Sequence, residues 1–270
     1  MTFIEKLEAA WTGNNSLVCV GLDPALEKLP ACLGGCEYPI FEFNKAIIDA
    51  TCDLVCCYKP QIAYYAGQDA EDELTMTMEY LRKRCPNIPV ILDAKRGDIG
   101  ATAQMYAKEA FVRYKADAVT VNPYMGTDTL KPFTDYADRG TVILCRTSNP
   151  NSSDIQDLKH DELEVYKHVA KLAEKVWNYN KNIMLVIGAT YPVELKAVRE
   201  ICPDIPFLVP GVGAQGGDAA AVVKNGADSR GLGLVVNSSR GIIYADSSEN
   251  FAAGAAEATR QLQNTLNQYR

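Results

Sequence analysis

The sequence predicts an α/β fold, a single (β/α)8 TIM barrel over residues 1–270 with an extra N-terminal helix. Three observations predict it. Short β-rich runs recur eight times along the chain, amphipathic stretches separate most of them, and 270 residues lie within the reach of one such barrel. Eight strand-helix units spell a closed parallel barrel. An open doubly wound sheet is the alternative, but no G-x-G-x-x-G follows the first strand to support a dinucleotide site.

Taken in order, residues Thr2 to Trp11 read as the extra helix, placed to cover the barrel bottom. The first strand is the apolar run Leu17 to Gly21. A long connection, Pro24 to Ile40, leads to a helical pattern from Phe41 to Cys52. Strand Leu54 to Lys59 and helix Ala70 to Arg84 follow, then strand Pro89 to Lys95 and helix Ala101 to Lys115. Ala118 to Val121 and Thr141 to Cys145 are the fourth and fifth strands. A second long connection, Ser148 to Asp161, precedes helix Glu162 to Trp177. Strand Ile183 to Ile187, helix Val193 to Ile201, strands Pro206 to Pro210 and Leu232 to Val236, and helix Phe251 to Gln268 complete the series. Both long connections leave the C-terminal ends of strands, the face on which such barrels build sites, and each reads equally as a lid or as a solvated insertion.

Composition narrows the function. A hydrophobic content of 47% with 23% charge describes an ordinary globular chain with a large core. A net charge of -7 without a lysine- or arginine-rich run argues against nucleic-acid binding, which rests on neutralising many phosphates. No stretch approaches a membrane span, and Met1 to Lys6 does not read as a signal peptide. The nine cysteines sit mostly in apolar runs, as small buried hydrophobes of a reducing, cytoplasmic protein. Zinc at Cys56 and Cys57 is disfavoured, because adjacent strand residues point to opposite faces and only His160 and His168 exist to join them.

Charged and polar residues gather where strands end: Asp23, Lys59, Asp93, Lys95 and Asn122. In a barrel those ends converge on one mouth. Asp93 and Lys95 are two apart on a strand, so regular alternation puts both on one face and leaves Leu92 and Ala94 to the other. A structural ion pair would explain those two alone. Lys59 on the neighbouring strand and Asp98 beyond Lys95 extend the pair to an alternating array, which points to catalysis. A second motif, Pro210-Gly211-Val212-Gly213-Ala214-Gln215-Gly216-Gly217-Asp218, follows the seventh strand, and Asn237-Ser238-Ser239-Arg240-Gly241 follows the eighth. Loops there form the usual phosphate site of this barrel, with backbone N–H groups and an arginine as the grip. Arg230 reads as a salt-bridged surface residue rather than a second phosphate ligand.

Asp93-Ala94-Lys95-Arg96-Gly97-Asp98-Ile99-Gly100 with Thr102 resembles the signature of the orotidine 5'-phosphate decarboxylase family, and the likeness runs over the whole chain, nearest the longer bacterial subgroup. The resemblance implies decarboxylation of orotidine 5'-phosphate to UMP without cofactor or metal. It implies a catalytic tetrad of Lys59, Asp93, Lys95 and Asp98, and a homodimer in which Asp98, Ile99 and Thr102 enter the partner's active site. Gln215 and Arg240 would then contact the 5'-phosphate, Ser148 the pyrimidine, and Asp23 with Lys59 the ribose hydroxyls. The family often has Gly-Arg where this chain has Ser239-Arg240.

Two other readings compete. Related sugar-phosphate lyases, 3-keto-gulonate 6-phosphate decarboxylase and hexulose-phosphate synthase, resemble this barrel and share Asp-x-Lys-x-x-Asp. They use magnesium and carry an acidic residue where this chain has Lys59. A non-catalytic binder of an anionic ligand would gain from Arg240 but be hindered by Asp93 and Asp98.

Overall fold

The computed structural model describes residues 1–212 and 217–270. Eight parallel strands form one sheet: β1 Val18–Leu22, β2 Cys57–Pro60, β3 Ile91–Arg96, β4 Ala118–Val121, β5 Gly140–Arg146, β6 Ile183–Ile187, β7 Phe207–Pro210 and β8 Leu234–Ser238. Neighbours run β2-β1-β8-β7-β6-β5-β4-β3. Parallel bridges Tyr58 to Val90 and Gln61 to Asp93 bring the two outer strands together, so the sheet closes on itself. The (β/α)8 barrel is therefore the architecture, and the open-sheet alternative falls. β1, β4 and β6 are buried along their whole length, as strands covered on both faces must be.

The long helices are α1 Phe3–Gly13, α2 Pro39–Thr51, α3 Glu71–Arg84, α4 Gly100–Lys108, α5 Thr127–Thr134, α6 Val165–Leu172, α7 Pro192–Ile201, α8 Ala219–Gly226 and α9 Phe251–Asn267. α1 begins in a capping box: Glu5 donates its backbone N–H to Thr2 Oγ1 at 3.3 Å, and Thr2 N donates to Glu5 Oε2 at 2.8 Å. It buries Phe3, Leu7, Ala10 and Trp11 under the barrel, where the Trp11 indole donates to the Leu234 carbonyl at 2.7 Å. The Phe3 ring occupies the space a side chain at Gly140 would need. α3 carries Glu71, Asp72 and Glu73 in its first turn and Arg82, Lys83 and Arg84 in its last, matching both ends of its dipole. Arg199 on α7 ties the bottom layer together, donating to the carbonyls of Gly226, Cys202, Pro203, Ile205 and Gly233.

The structure revises several expectations. The helices expected over Ala101 to Lys115 and Glu162 to Trp177 are shorter and end in π turns, Glu109–Arg113 and Ala173–Trp177. α5 is an element that spacing does not announce. Cys52 and Cys85, expected as free hydrophobes, form a disulfide because α2 and α3 end side by side, with Cα atoms 6.1 Å apart. Cys32 is exposed. Arg230 is the salt-bridged surface residue expected, paired with Asp228 at 2.9 Å and Glu8 at 3.2 Å. Among the described residues no helix is long and apolar enough to cross a membrane.

Candidate active site

The strand ends open into a cavity of about 1210 Å³ at the C-terminal face of the barrel, lined by Asp23, Lys59, Asp93, Lys95, Thr120, Asn122, Ser148, Asn237 and Arg240 among others. Each arrives from a different place in the chain. Asp23 follows β1, Lys59 lies near the end of β2, Asp93 and Lys95 lie on β3, Thr120 is on β4, Ser148 follows β5, and Arg240 opens a one-turn helix after β8.

At its centre three charges alternate. Lys59 Nζ donates to Asp93 Oδ2 at 3.0 Å, and Lys95 Nζ donates to Asp93 Oδ1 at 2.7 Å. Asp23 stands on the far side of Lys59, 3.9 Å away. Lys59 and Asp93 are buried, 4% and 7% exposed, whereas the Lys95 side chain is 49% exposed toward the cavity. Burial opposes the charge on Lys59, but the carboxylates of Asp23 and Asp93 outweigh it and hold the ammonium above the ordinary lysine range. Burial likewise pushes Asp93 up. Lys59 and Lys95, with hydrogen bonds from Lys95 and Thr120, win and keep its carboxyl well below the usual range. Lys59 and Asp93 are therefore both ionised through the neutral range.

Asp93 and Lys95 meet, but not by simple alternation. Leu92 pairs with Val119 and Arg96 with Val121, so Asp93, Ala94 and Lys95 all stand against Thr120 in a bulge. Lys95 takes the left-handed conformation, φ 46°. That costs roughly 1–2 kcal/mol for a residue with a Cβ, and it turns the side chain into the mouth. Thr120, which strand pattern alone does not single out, accepts from Ala94 N and Lys95 N at 2.9 Å each and donates to Asp93 Oδ1 at 2.8 Å.

Ser148 sits where it does because position 188 lacks a side chain. A Cβ there would lie 2.9 Å from Ser148 Cα and 3.0 Å from its N. The loop beyond Ser148 is built rather than loose: helical turns over Pro150–Ser152 and Ser153–Gln156 lead to a hairpin of Lys159–His160 against Leu163–Glu164. Arg146, buried at the end of β5, staples it. Its guanidinium donates to Ser152 Oγ, to Gln156 Oε1 at 3.2 Å and to Asp157 Oδ2 at 3.2 Å, and lies 3.9 Å over the Tyr191 ring. This loop lines the cavity through Ser148, Asn149, Ile155 and Gln156, whereas nothing from Pro24 to Ile40 does. Of the two long connections, only the second borders the site.

The remaining expected residues divide. Asp98, Ile99 and Thr102 do not line the cavity of their own chain. Asp98 accepts from the neighbouring Ile99 N at 2.8 Å, and Ile99 is 61% exposed. Gln215 lies outside the described residues. Nearby, Asp218 caps α8 by accepting from Ala220 N at 2.9 Å. Among the described residues no group of three or more His, Cys, Asp and Glu is placed to hold a metal ion.

Comparison with known proteins places these features in a lineage. A family model described as "Orotidine 5'-phosphate decarboxylase / HUMPS family" matches residues 16–255. The orotidine 5'-phosphate decarboxylase of Dechloromonas aromatica is 55% identical over 270 residues, covering 100% of both chains. That of Cellvibrio japonicus is 54% identical over 269 residues, covering 99% of this chain and 98% of its own. Among solved structures, OMP decarboxylase of Leishmania donovani superposes with a TM-score of 0.86 at 37% identity, covering 100% of this chain and 98% of its own. UMP synthase of the same organism gives 0.86 at 39% identity, with 99% of this chain matched to 57% of that one.

Proposed function

The chain belongs to the orotidine 5'-phosphate decarboxylase / HUMPS family, and from that premise we infer that it is a carboxy-lyase converting orotidine 5'-phosphate to UMP and carbon dioxide in pyrimidine biosynthesis. The observation that carries the choice within the family is the ion array. Lys59 and Lys95 both spend their charge on Asp93, so its carboxylate already serves two cations. A magnesium-dependent lyase needs carboxylates free to hold its metal, and an acidic residue where Lys59 stands. A mere binder of an anion gains nothing from a buried carboxylate at the cavity wall.

Cleavage of the bond between C6 and the carboxylate leaves an electron pair in the ring plane, where no ring orbital can delocalise it. Stabilisation must then come from a fixed charge. Lys95 is the group to supply it: its ammonium faces the cavity and can pass a proton to C6 as carbon dioxide departs. Asp93 would repel the substrate carboxylate, but two charges about 4 Å apart interact by roughly 4 kcal/mol at an effective dielectric of 20. Enzymes lower barriers by about 8–23 kcal/mol, so Lys95 carries the larger share.

Binding falls to the rim. Asp23 lines the cavity beside Lys59, which suits its carboxylate to accept a ribose hydroxyl. Arg240, with Gln215, would take the phosphate, whose remote binding energy orders the site. Ser148 would meet the pyrimidine. If it does, Gly188→Ala displaces it and lowers kcat/KM by about 10- to 100-fold, mostly through KM. Unchanged constants would remove Ser148 from the contact list.

Asp98, Ile99 and Thr102 belong, in this reading, to a partner's site in a homodimer. Ile99 and Thr102 are exposed and Asp98 is half-buried, and none of the three lines its own cavity, which supports that assignment, as does the exposed apolar surface at Met105. The 270 residues act as one barrel domain, and its assignment to the cytoplasm rests on the seven free cysteines against the single Cys52–Cys85 bond. The test is the ultraviolet change on adding orotidine 5'-phosphate to the purified protein in chelator, with size measured on the same sample. Turnover indifferent to chelator, by a species of twice 29.5 kDa, is expected. Binding without turnover would make it a binder, and loss of activity in chelator would move it to the metal-dependent lyases.

A further inference from the structure

We propose that Thr120 is a positioning residue of the decarboxylase: its hydroxyl holds the β3 bulge that presents Lys95 and fixes the rotation of the Asp93 carboxylate. The proposal rests on the decarboxylase reading and adds a part to it. Where three residues of β3 stand against one of β4, the regular ladder has no carbonyl for the extra N–H groups. Orphaned amides at a buried strand end are costly, so something must replace the missing acceptor.

Thr120 Oγ1 is that acceptor, receiving Ala94 N and Lys95 N at 2.9 Å each. A hydroxyl has two acceptor lone pairs and one hydrogen. Both amides must donate, so both lone pairs are used and the hydrogen is left for Asp93 Oδ1, 2.8 Å away. No rotational freedom remains. The same carboxylate oxygen receives Lys95 Nζ at 2.7 Å. One hydroxyl therefore sets both the backbone from which Lys95 springs and the anion on which its ammonium leans. Thr120 is 1% exposed and acts through these two neighbours.

Thr120→Val keeps the shape and removes the hydroxyl, while Thr120→Ser keeps the hydroxyl and removes a methyl. With kcat and KM for orotidine 5'-phosphate measured beside wild type, Thr120→Val is expected to lower kcat by roughly 100-fold with little change in KM. Thr120→Ser should stay close to wild type. A threonine that only fills space predicts the reverse order, since valine fills it equally well and serine does not. Wild-type kcat in Thr120→Val, or a Thr120→Ser as slow as Thr120→Val, overturns the proposal. Should Thr120→Val not fold, Thr120→Ala against Thr120→Ser decides by the same criterion, with alanine expected to fall and serine not. An inactive wild type in this assay would overturn the decarboxylase reading itself, whereas an active wild type beside an indifferent Thr120→Val overturns only the role of Thr120.

Discussion

Lys95→Ala should fold like the wild type, keep the wild type's size in solution and lose decarboxylation by many orders of magnitude. The fold survives because the Lys95 side chain is half exposed, and Asp93 keeps Lys59 at 3.0 Å and Thr120 at 2.8 Å when Lys95 is gone. Activity does not, because two separate contributions leave together. Removing one preorganised electrostatic group costs about 10²–10³ in rate, and removing a proton donor about 10²–10⁴. Their product is roughly 10⁴–10⁷, or about 5–10 kcal/mol at 1.36 kcal/mol per decade. Single-turnover decay of orotidine 5'-phosphate absorbance measures it, with the melting midpoint as the control on folding. Near-normal turnover by the purified variant would sink the assignment of Lys95 and, with it, the mechanism.

Why that residue could be found from sequence, and others could not, follows from where the signals lie. β4 and β6 have the bounds that their apolar runs predict, because each run is short, aliphatic and bracketed by polar turns. Lys59, Asp93 and Asp23 are legible for a related reason: a charge at the end of an apolar strand has few explanations other than a barrel mouth. α5 is not legible. Its Thr127 to Thr134 contains Pro132 and three threonines, all weak helix formers, and it is held by Leu130 and Phe133 packing into the core. Thr120 is invisible for a deeper reason. Alternation with a period of two predicts that Asp93 and Lys95 share a face, and they do meet, but through a bulge whose register depends on a strand distant in sequence. The Cys52–Cys85 bond arises likewise from two helix ends that only the tertiary fold brings together. Asp98, Ile99 and Thr102 do not line the cavity of their own chain, so the contacts within one chain give them no part in it.

Lys59→Met should damage both stability and turnover, and the pH dependence of the damage identifies its cause. Lys59 is the buried cation between Asp93 at 3.0 Å and Asp23 at 3.9 Å. Removing one member of a buried pair leaves the other desolvated and costs about 3–5 kcal/mol, which lowers the melting midpoint by roughly 6–20 °C in a chain of this size. In the wild type, Asp93 has a depressed folded pKa. Its stabilisation is complete above the unfolded value of about 3.9 and is lost only as pH falls through the folded value. Lys59 has a raised folded pKa, so its stabilisation is complete below the unfolded value of about 10.4 and is lost as pH rises through the folded value. Between those limits the wild type is insensitive to pH on this account. Without Lys59 one of the cations that hold the Asp93 carboxyl down is gone while Lys95 and the Thr120 hydroxyl remain, so its folded pKa moves upward from the wild-type value. The variant then draws less stability from an ionised Asp93 than the wild type does, and the gap in melting midpoint between the two proteins narrows on acidification as the wild type loses the larger contribution. A gap that stays constant on acidification would mean that Lys59 contributes packing rather than charge. The alternating array would then be a structural ion pair, and the fixed-cation mechanism would lose the support that holds Asp93 ionised beside Lys95.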